Sequence, residues 1–405
     1  MLPGAGSGTD VQAGVNGDII PEVQGLRGLT ALAVILFHMG WLWCGWLGVW
    51  VFFTLSGFVI TRSMVRAEAA GQPVSPGRFY RARIARILPL YLAAITVGVA
   101  TLCLEAWLFD RPESLAFLTQ VPWLMTGTFN VFRVIPGYEE TRMFGHLWSL
   151  SVEEQYYLLF PLLFAGLRRA QLVVLFALLV ILGPFWRLGT HMVFSALGWS
   201  VPDVATAIYQ LTFNHLDAFA LGGLIAINEG RLRALTGSRL ARRLTWAIPV
   251  GLATLAAVCV ILQNAQVSTS GKDVFTDAFQ VKPQLLSGQI LVYALGVLGA
   301  GGLLVLILTG SRIVALLGAD SLIRLGTISF GLYVWHFPLL WIFADAGHRT
   351  LVSAGLYLGV TLVAAILSYR YLEQPARRWL EPRRRMSEVS PAQSPTSVVQ
   401  SPARP

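Results

Sequence analysis

Charge is scarce in this chain. Of its 405 residues only 13% are Asp, Glu, Lys or Arg, while 55% are hydrophobic. Soluble domains carry about 25% charged residues, so the composition excludes a water-soluble globular fold and points to a polytopic membrane protein. Lysine is nearly missing: Lys272 and Lys282 are the only two among thirty basic residues. Cysteine is sparse as well, and Cys44, Cys103 and Cys259 fall in or beside apolar runs at no metal-like spacing. That excludes a disulfide framework and a zinc site, and no metal is expected. No segment repeats at the period of roughly 20–50 residues that marks solenoids. The first residues are polar and Gly-rich, with neither a basic start nor an apolar core, so no signal peptide is expected.

What the chain does have is long apolar runs. They predict an all-α, polytopic integral membrane protein with about ten transmembrane helices. The expected spans lie near 26–43, 46–63, 88–108, 147–167, 172–188, 208–228, 244–263, 288–310, 327–346 and 351–372. The connections then alternate between two sides. Twenty-three of the thirty basic residues fall on the side holding the lead-in, the loops near 64–87, 168–171, 229–243 and 311–326, and the tail. The other side holds Arg111, Arg133, Arg142, Arg187, Lys272, Lys282 and Arg349. By the positive-inside rule the first side is cytoplasmic, with both termini there. The formal net charge of +9 is therefore topological, and no nucleic-acid partner is expected. Residues 1–24 read as a polar cytoplasmic lead-in and 25–375 as the transmembrane domain. Residues 376–405 read as a basic, then Ser/Pro-rich, disordered tail. The outer loops 109–146 and 264–287 are long, yet too small for a separate domain. The Arg/Ala bias fits a GC-rich bacterial genome, and the apolar spans make the bacterial cytoplasmic membrane the expected location.

The polar residues inside these runs are few and patterned. Arg27 and His38 are eleven residues apart in an apolar stretch. Helical geometry puts them on one face, about 16 Å apart along the axis. His38 then falls near mid-bilayer, where an ionisable group usually faces a cavity; a neutral histidine bonded to a neighbouring helix is the structural alternative. His146, Ser149 and Glu153 make one polar stripe, and Ser329, Tyr333 and His336 a second. Asn214 and Asp217 share a face beside His215. One stripe alone reads as interhelical hydrogen bonding; three together with His38 favour a shared polar cavity. Arg83 and Arg86 lie one turn apart. Arginine forks suit phosphates, although spacing alone favours positive-inside anchoring.

Five motifs in order carry a resemblance: Arg27-x10-His38, Phe52-Phe53-Thr-Leu-Ser56-Gly57-Phe58, Arg83-x-x-Arg86, Trp148-Ser-Leu-Ser-Val-Glu153-Glu-Gln-Tyr-Tyr157 and Ser329-Phe-Gly-Leu-Tyr333-x-x-His336-x-Pro338. Over residues 22–375 the chain resembles the bacterial membrane-bound acyltransferase family three, which O-acylates sugars and related acceptors. The resemblance implies an acyl-CoA donor, usually acetyl-CoA, bound from the cytoplasm. It makes His38 the catalytic histidine and turns Arg27, Arg83 and Arg86 toward the CoA end. Many members carry an outer hydrolase-like domain after the last helices; none is expected here, as in the single-domain branch.

Neutral histidine suits deprotonation of an attacking hydroxyl near pH 7, so His38 is expected to be the general base, acting directly or through an acyl relay. Glu153 is expected to orient a partner or hold the acceptor, as the third member of a triad does; a protonated, structural carboxylate is the alternative. His146 and His336 are expected to line the acceptor side, with Ser149, Asp217 and Tyr333 as further substrate contacts. The acceptor stays open among exopolysaccharide, O-antigen, lipo-oligosaccharide and a macrolide-type antibiotic. Two other classes compete. A proton-coupled transporter or flippase would use the buried His and Glu differently, but the chain has no inverted repeat or paired broken helices. A scaffold for polysaccharide export gives those groups no role.

Overall fold

The computed structural model describes residues 19–72, 75–139, 143–267, 286–345 and 350–380. The first eighteen residues, Arg142, Lys272, Lys282, Arg349 and the tail beyond Leu380 lie outside them, and with them part of the topological charge pattern. Among the described residues the chain is all-α. The principal helices are α1 (Pro21–His38), α2 (Gly48–Ala69), α3 (Pro76–Leu108), α4 (Trp148–Gly166), α5 (Arg169–Ala196) and α6 (Val201–Gln210). They continue with α7 (Leu216–Ile227), α8 (Arg239–Val267), α9 (Leu286–Leu308), α10 (Asp320–Thr327), α11 (Ser329–Asp345), α12 (Leu351–Ser368) and α13 (Gln374–Leu380).

Six described helices are long and apolar enough to cross a membrane, and α10 with α11 makes up to seven if that pair, bent by 68°, is one span. The chain is thus a polytopic membrane protein. All ten expected segments contain helix. The three that fall short of that standard are α1, α4 and α7, and they carry Arg27 and His38, Glu153, and Asp217. In α1 and α4 the polar residues lower the hydropathy by which a span is recognised, whereas α7 is apolar but too short.

Helix α1 ends five residues earlier than expected. Met39 caps it, its N–H reaching Ile35 O, so His38 is the last helical residue rather than one within a continuing span. A turn and the short 3₁₀ segment Gly45–Leu47 then lead into α2.

Helices α2 and α7 form the centre and pack along their length. Their closeness depends on two glycines. A Cβ at Gly57 would lie 2.1 Å from Phe219 O, and one at Gly222 would lie 2.0 Å from Thr54 O. Lipid is as apolar as leucine, so helices associate in membranes through close packing, which small residues permit. Helix α9 packs against both α2 and α7, α5 against α7, and α1 between α2 and the α10–α11 pair. The membrane-crossing window of α2 is 61% buried, whereas that of α8 is 6% buried. The site is therefore built on α2 and its neighbours, while α8 stands on the rim.

A buried ion pair ties α5 to α7. Arg187 Nη2 lies 2.5 Å from Asp217 Oδ2 and donates to Asn214 O at 2.9 Å. Arg187 is thus a fully buried residue within α5, which runs on to Ala196, and not an outer-side residue at the edge of a span ending near 188. A charge of this kind is retained in a bundle interior only with a partner, and Asp217 is that partner.

Candidate active site

Three cavities follow one another through the bundle. The first encloses about 740 Å³ and is lined by Arg27 of α1, Ser56 of α2, Arg83 and Arg86 of α3, Glu153 and Tyr157 of α4, and Ser329 and Tyr333 of α11. Ser56 Oγ donates to Glu153 Oε1 at 2.8 Å. Tyr157 OH lies 3.0 Å from Glu153 Oε2 and 3.1 Å from Ser56 Oγ. The Arg83 guanidinium sits over the Tyr157 ring, 4.9 Å from its centroid. Arg27 reaches Ser329 Oγ only at 3.5 Å, and its Nε is buried without a hydrogen-bond partner. Among the described residues no salt bridge within 4.0 Å neutralises Arg27, Arg83 or Arg86. Three cations and one carboxylate thus share a chamber that favours an anionic ligand.

The second cavity encloses about 660 Å³ and is lined by His38, Trp46, Arg133, His146, Trp148 and Tyr209, among others. Val49 and Tyr333 line both chambers, so they form the partition. Tyr333 is held there firmly: its OH lies 2.5 Å from Ser149 Oγ and donates to His146 O at 2.7 Å. Arg133 donates to Gly145 O, which fixes the 3₁₀ turn that carries His146 into α4. His146 Nε2 lies 3.0 Å from Val334 O. The rings of His38 and His336 are 5.2 Å apart, and those of His336 and His146 are 5.3 Å apart.

The third cavity, about 830 Å³, is an aromatic groove at the end of α1. His38 and Phe337 line both it and the second chamber. His38 therefore stands at a junction.

The structure brings together most of the residues singled out in the sequence, in a different grouping. Arg27, Arg83, Arg86 and Glu153 share the first chamber, Ser149 and Tyr333 stand at its inner wall, and His38 and His146 share the second. Three assignments change. Glu153 does not sit with His38 as the third member of a triad; its hydrogen bonds go to Ser56 and Tyr157 among the arginines. Asp217 is not a substrate contact, because Arg187 occupies its carboxylate. His336 is fully buried, its Nδ1 2.6 Å from Tyr333 O; it lines none of these three cavities and backs the His38 ring instead. Ser56, Tyr157 and Arg133 are the additions. Tyr157 lies one turn beyond Glu153, an i, i+4 neighbour that the same stripe already implied.

Comparison with known proteins enters at this point. A family model described as an acyltransferase domain matches residues 20–370. Peptidoglycan O-acetyltransferase OatA of Listeria monocytogenes is 25% identical over 377 residues, covering 89% of this chain and 56% of that protein. The putative peptidoglycan O-acetyltransferase YrhL of Bacillus subtilis is 26% identical over 375 residues, 88% of this chain and 55% of its own. An O-acetyltransferase OatA of Staphylococcus aureus is 24% identical over 383 residues, 89% of this chain and 57% of its own. The chain thus spans little more than half the length of these relatives. No solved structure matches it. With the family model covering most of the helical bundle and all three cavities, the chain belongs to the acyltransferase family three.

Proposed function

We propose that this protein is an O-acyltransferase of the bacterial cytoplasmic membrane, moving an acyl group, acetyl foremost, from cytoplasmic acyl-CoA to a hydroxyl of a glycan. In this reading the chain spans the membrane ten times with both termini inside. The observation that carries the proposal is the line of cavities, with unneutralised arginines in the first chamber and His38 at the far end of the second. Arginine forks bind phosphate through paired, charge-assisted hydrogen bonds. Arg27, Arg83 and Arg86 thus hold the donor's phosphates, and the thin pantetheine arm passes Tyr333 and Val49 to bring the thioester to His38.

His38 accepts the proton of the acceptor hydroxyl as its oxygen attacks the thioester carbonyl carbon. The carbon–sulfur bond then breaks, CoA leaves as thiolate and takes up the proton, and the ester departs. Backed by His336 and Phe337, the His38 ring is held in place for this transfer. Glu153 positions Ser56 and Tyr157 and, through Tyr157, the Arg83 fork; it is a positioning residue of the donor chamber. The glycan acceptor is supported by relatives whose names specify O-acetylation, in two cases of peptidoglycan.

Membranes containing the protein, given labelled acetyl-CoA or propionyl-CoA with a lipid and glycan extract, test this. Release of CoA thiol with label in the glycan fraction is the expected result. If neither donor is consumed with any extract, the proposal fails and a transport role takes its place.

A further inference from the structure

We infer that His146 is a donor-binding residue, its Nδ1 accepting a hydrogen bond from the pantetheine amide nearest the thioester. This rests on the proposed transfer reaction and moves His146 to the donor from the acceptor side that its stripe suggested.

The inference starts from a proline. In a regular helix the carbonyl of residue 334 accepts from the N–H four residues on. In α11 that residue is Pro338, which has no N–H, so Val334 O is open to another donor. His146 takes the place: its Nε2 lies 3.0 Å from Val334 O. A carbonyl oxygen only accepts, so Nε2 carries the hydrogen. Burial in a chamber that already holds the Arg133 guanidinium disfavours a second positive charge, so the ring is neutral. Its Nδ1 is then an acceptor and nothing else.

That atom is buried without a hydrogen-bond partner among the described residues, on a side chain that lines the second chamber. A bare acceptor in the interior is costly, and a ligand N–H removes the cost on binding. His336 is the contrasting case. Its Nδ1 is 2.6 Å from Tyr333 O and its Nε2 is equally bare. Yet His336 lines none of the three cavities, so of the two His146 is the one a ligand can reach.

Position decides which substrate supplies the N–H. The arm enters past Tyr333 and Val49, and His146 stands directly behind that partition. Tyr333 OH donates to His146 O at 2.7 Å, and the two rings are 5.5 Å apart. His38 lies further on. The Phe337 ring is 5.1 Å from the His146 ring and 5.1 Å from that of His38, and spaces one from the other. On the arm, an ethylene unit separates the amide from the sulfur of the thioester. Amide then thioester on the ligand matches His146 then His38 along the chamber. The amide N–H thus meets Nδ1 while the thioester carbon stands at His38.

Binding tests this without turnover. The full chain in lipid nanodiscs is titrated with CoA and with a CoA analogue in which that amide is an ester, oxygen replacing N–H. The ester sets a lone pair against Nδ1, so the parent should bind it about tenfold more weakly than CoA. His146→Gln keeps an N–H for Val334 O but lacks the Nδ1 acceptor, and should bind the two compounds alike. Arg86→Ala should weaken both and keep their ratio. Nitrogen NMR of protein carrying isotope-labelled histidine reads the ring itself, with the His146 signals assigned by their loss in His146→Gln. An unprotonated Nδ1 whose signal moves on adding CoA is expected. A protonated Nδ1 overturns the inference, and so does discrimination that survives in His146→Gln. CoA affinity unchanged in His146→Gln would give Nδ1 to the acceptor hydroxyl and overturns it too. The comparison of the two compounds on the parent needs no variant, so it decides the matter even where His146→Gln fails to fold. If the parent binds neither compound, the donor reading itself falls; if it binds both alike, only the role of His146 does.

Discussion

Replacing Gly57 by alanine should loosen the centre of the bundle. The new Cβ would stand 2.1 Å from Phe219 O, whereas carbon–oxygen contacts of this kind settle near ~3.3–3.6 Å. The Cβ is fixed directly on its Cα and the oxygen belongs to main chain, so neither can swing aside, and α2 must move from α7 by about 1.2 Å to restore that contact. A gap of ~0.5–1 Å already forfeits a quarter to a half of each dispersion well along the seam. The stacked pair Phe53–Phe219, now 4.9 Å between centroids, lies in that seam. Overpacking usually costs about 1–3 kcal/mol, and a backbone-on-backbone clash belongs at the upper end, so ~3 kcal/mol is expected. Helix α2 also carries Val49, Phe52 and Ser56 into the cavity walls, so turnover should fall together with stability. The assay is thermal unfolding of purified protein, followed by tryptophan emission, with Gly222→Ala as an independent probe of the same seam. A drop of several degrees is expected for each; melting within about 1 °C of the parent for both would refute the packing argument.

Three further outcomes follow from the structure. Asp217→Ala leaves Arg187 buried without its carboxylate and should cost about 3–5 kcal/mol; replacing both residues by apolar ones should recover most of the melting temperature, and no recovery would show that the pair itself is needed. Glu229, on the short helix Glu229–Ala234 after α7, is raised by burial but held below the usual carboxylate range by hydrogen bonds from Arg62 at 2.7 Å and Arg233 at 2.8 Å. A carboxylate whose pKa is lowered on folding contributes stability above its unfolded value and loses it as pH falls through the folded value. Glu229→Gln should therefore lower the melting temperature at pH 7 and converge with the parent once acid has protonated the carboxylate; an equal gap at pH 7 and pH 3 would contradict this. Tyr333→Phe removes the hydroxyl that holds Ser149 and the His146 carbonyl, and a fall of about tenfold in kcat with little change in the donor's KM is expected; unchanged kcat would remove Tyr333 from the partition's role.

Much of this was legible in the sequence, for physical reasons that differ by residue. Arg27, Arg83, Arg86 and Glu153 converge because ionisable groups in apolar helices must find a common interior, and helical spacing already placed each on a definite face. The ends of helices were not legible in the same way. The apolar run through His38 continues to Trp43, so periodicity extends the span, whereas the structure turns the chain at Met39 and leaves His38 at a junction of cavities. Pairing across helices was the other gap. Asp217 looked like a substrate contact only while Arg187, at the edge of the expected span 172–188, was counted with the outer side; a lone arginine between Trp186 and Leu188 in an apolar run was itself the signal that a carboxylate lay opposite. Glu153 shows the limit of stripes: sharing a face with His146 fixes direction but not depth, and a rise of ~1.5 Å per residue carries it from the histidine chamber into that of the arginines.

The most direct test of the division of labour measures donor binding and donor turnover on the same samples of parent, His38→Ala and Arg86→Ala. Binding is read by titration with CoA and turnover by release of its thiol from acetyl-CoA. Histidine 38 lies beyond the partition from the arginines, so His38→Ala should bind CoA within about twofold of the parent and release no thiol. Arg86→Ala loses a charge-assisted contact of about 1.5–3 kcal/mol and should weaken CoA binding by roughly 10–150-fold. Thiol release by His38→Ala at the parent's rate, or CoA binding untouched in Arg86→Ala, would contradict the assignment of chemistry to one chamber and donor phosphates to the other.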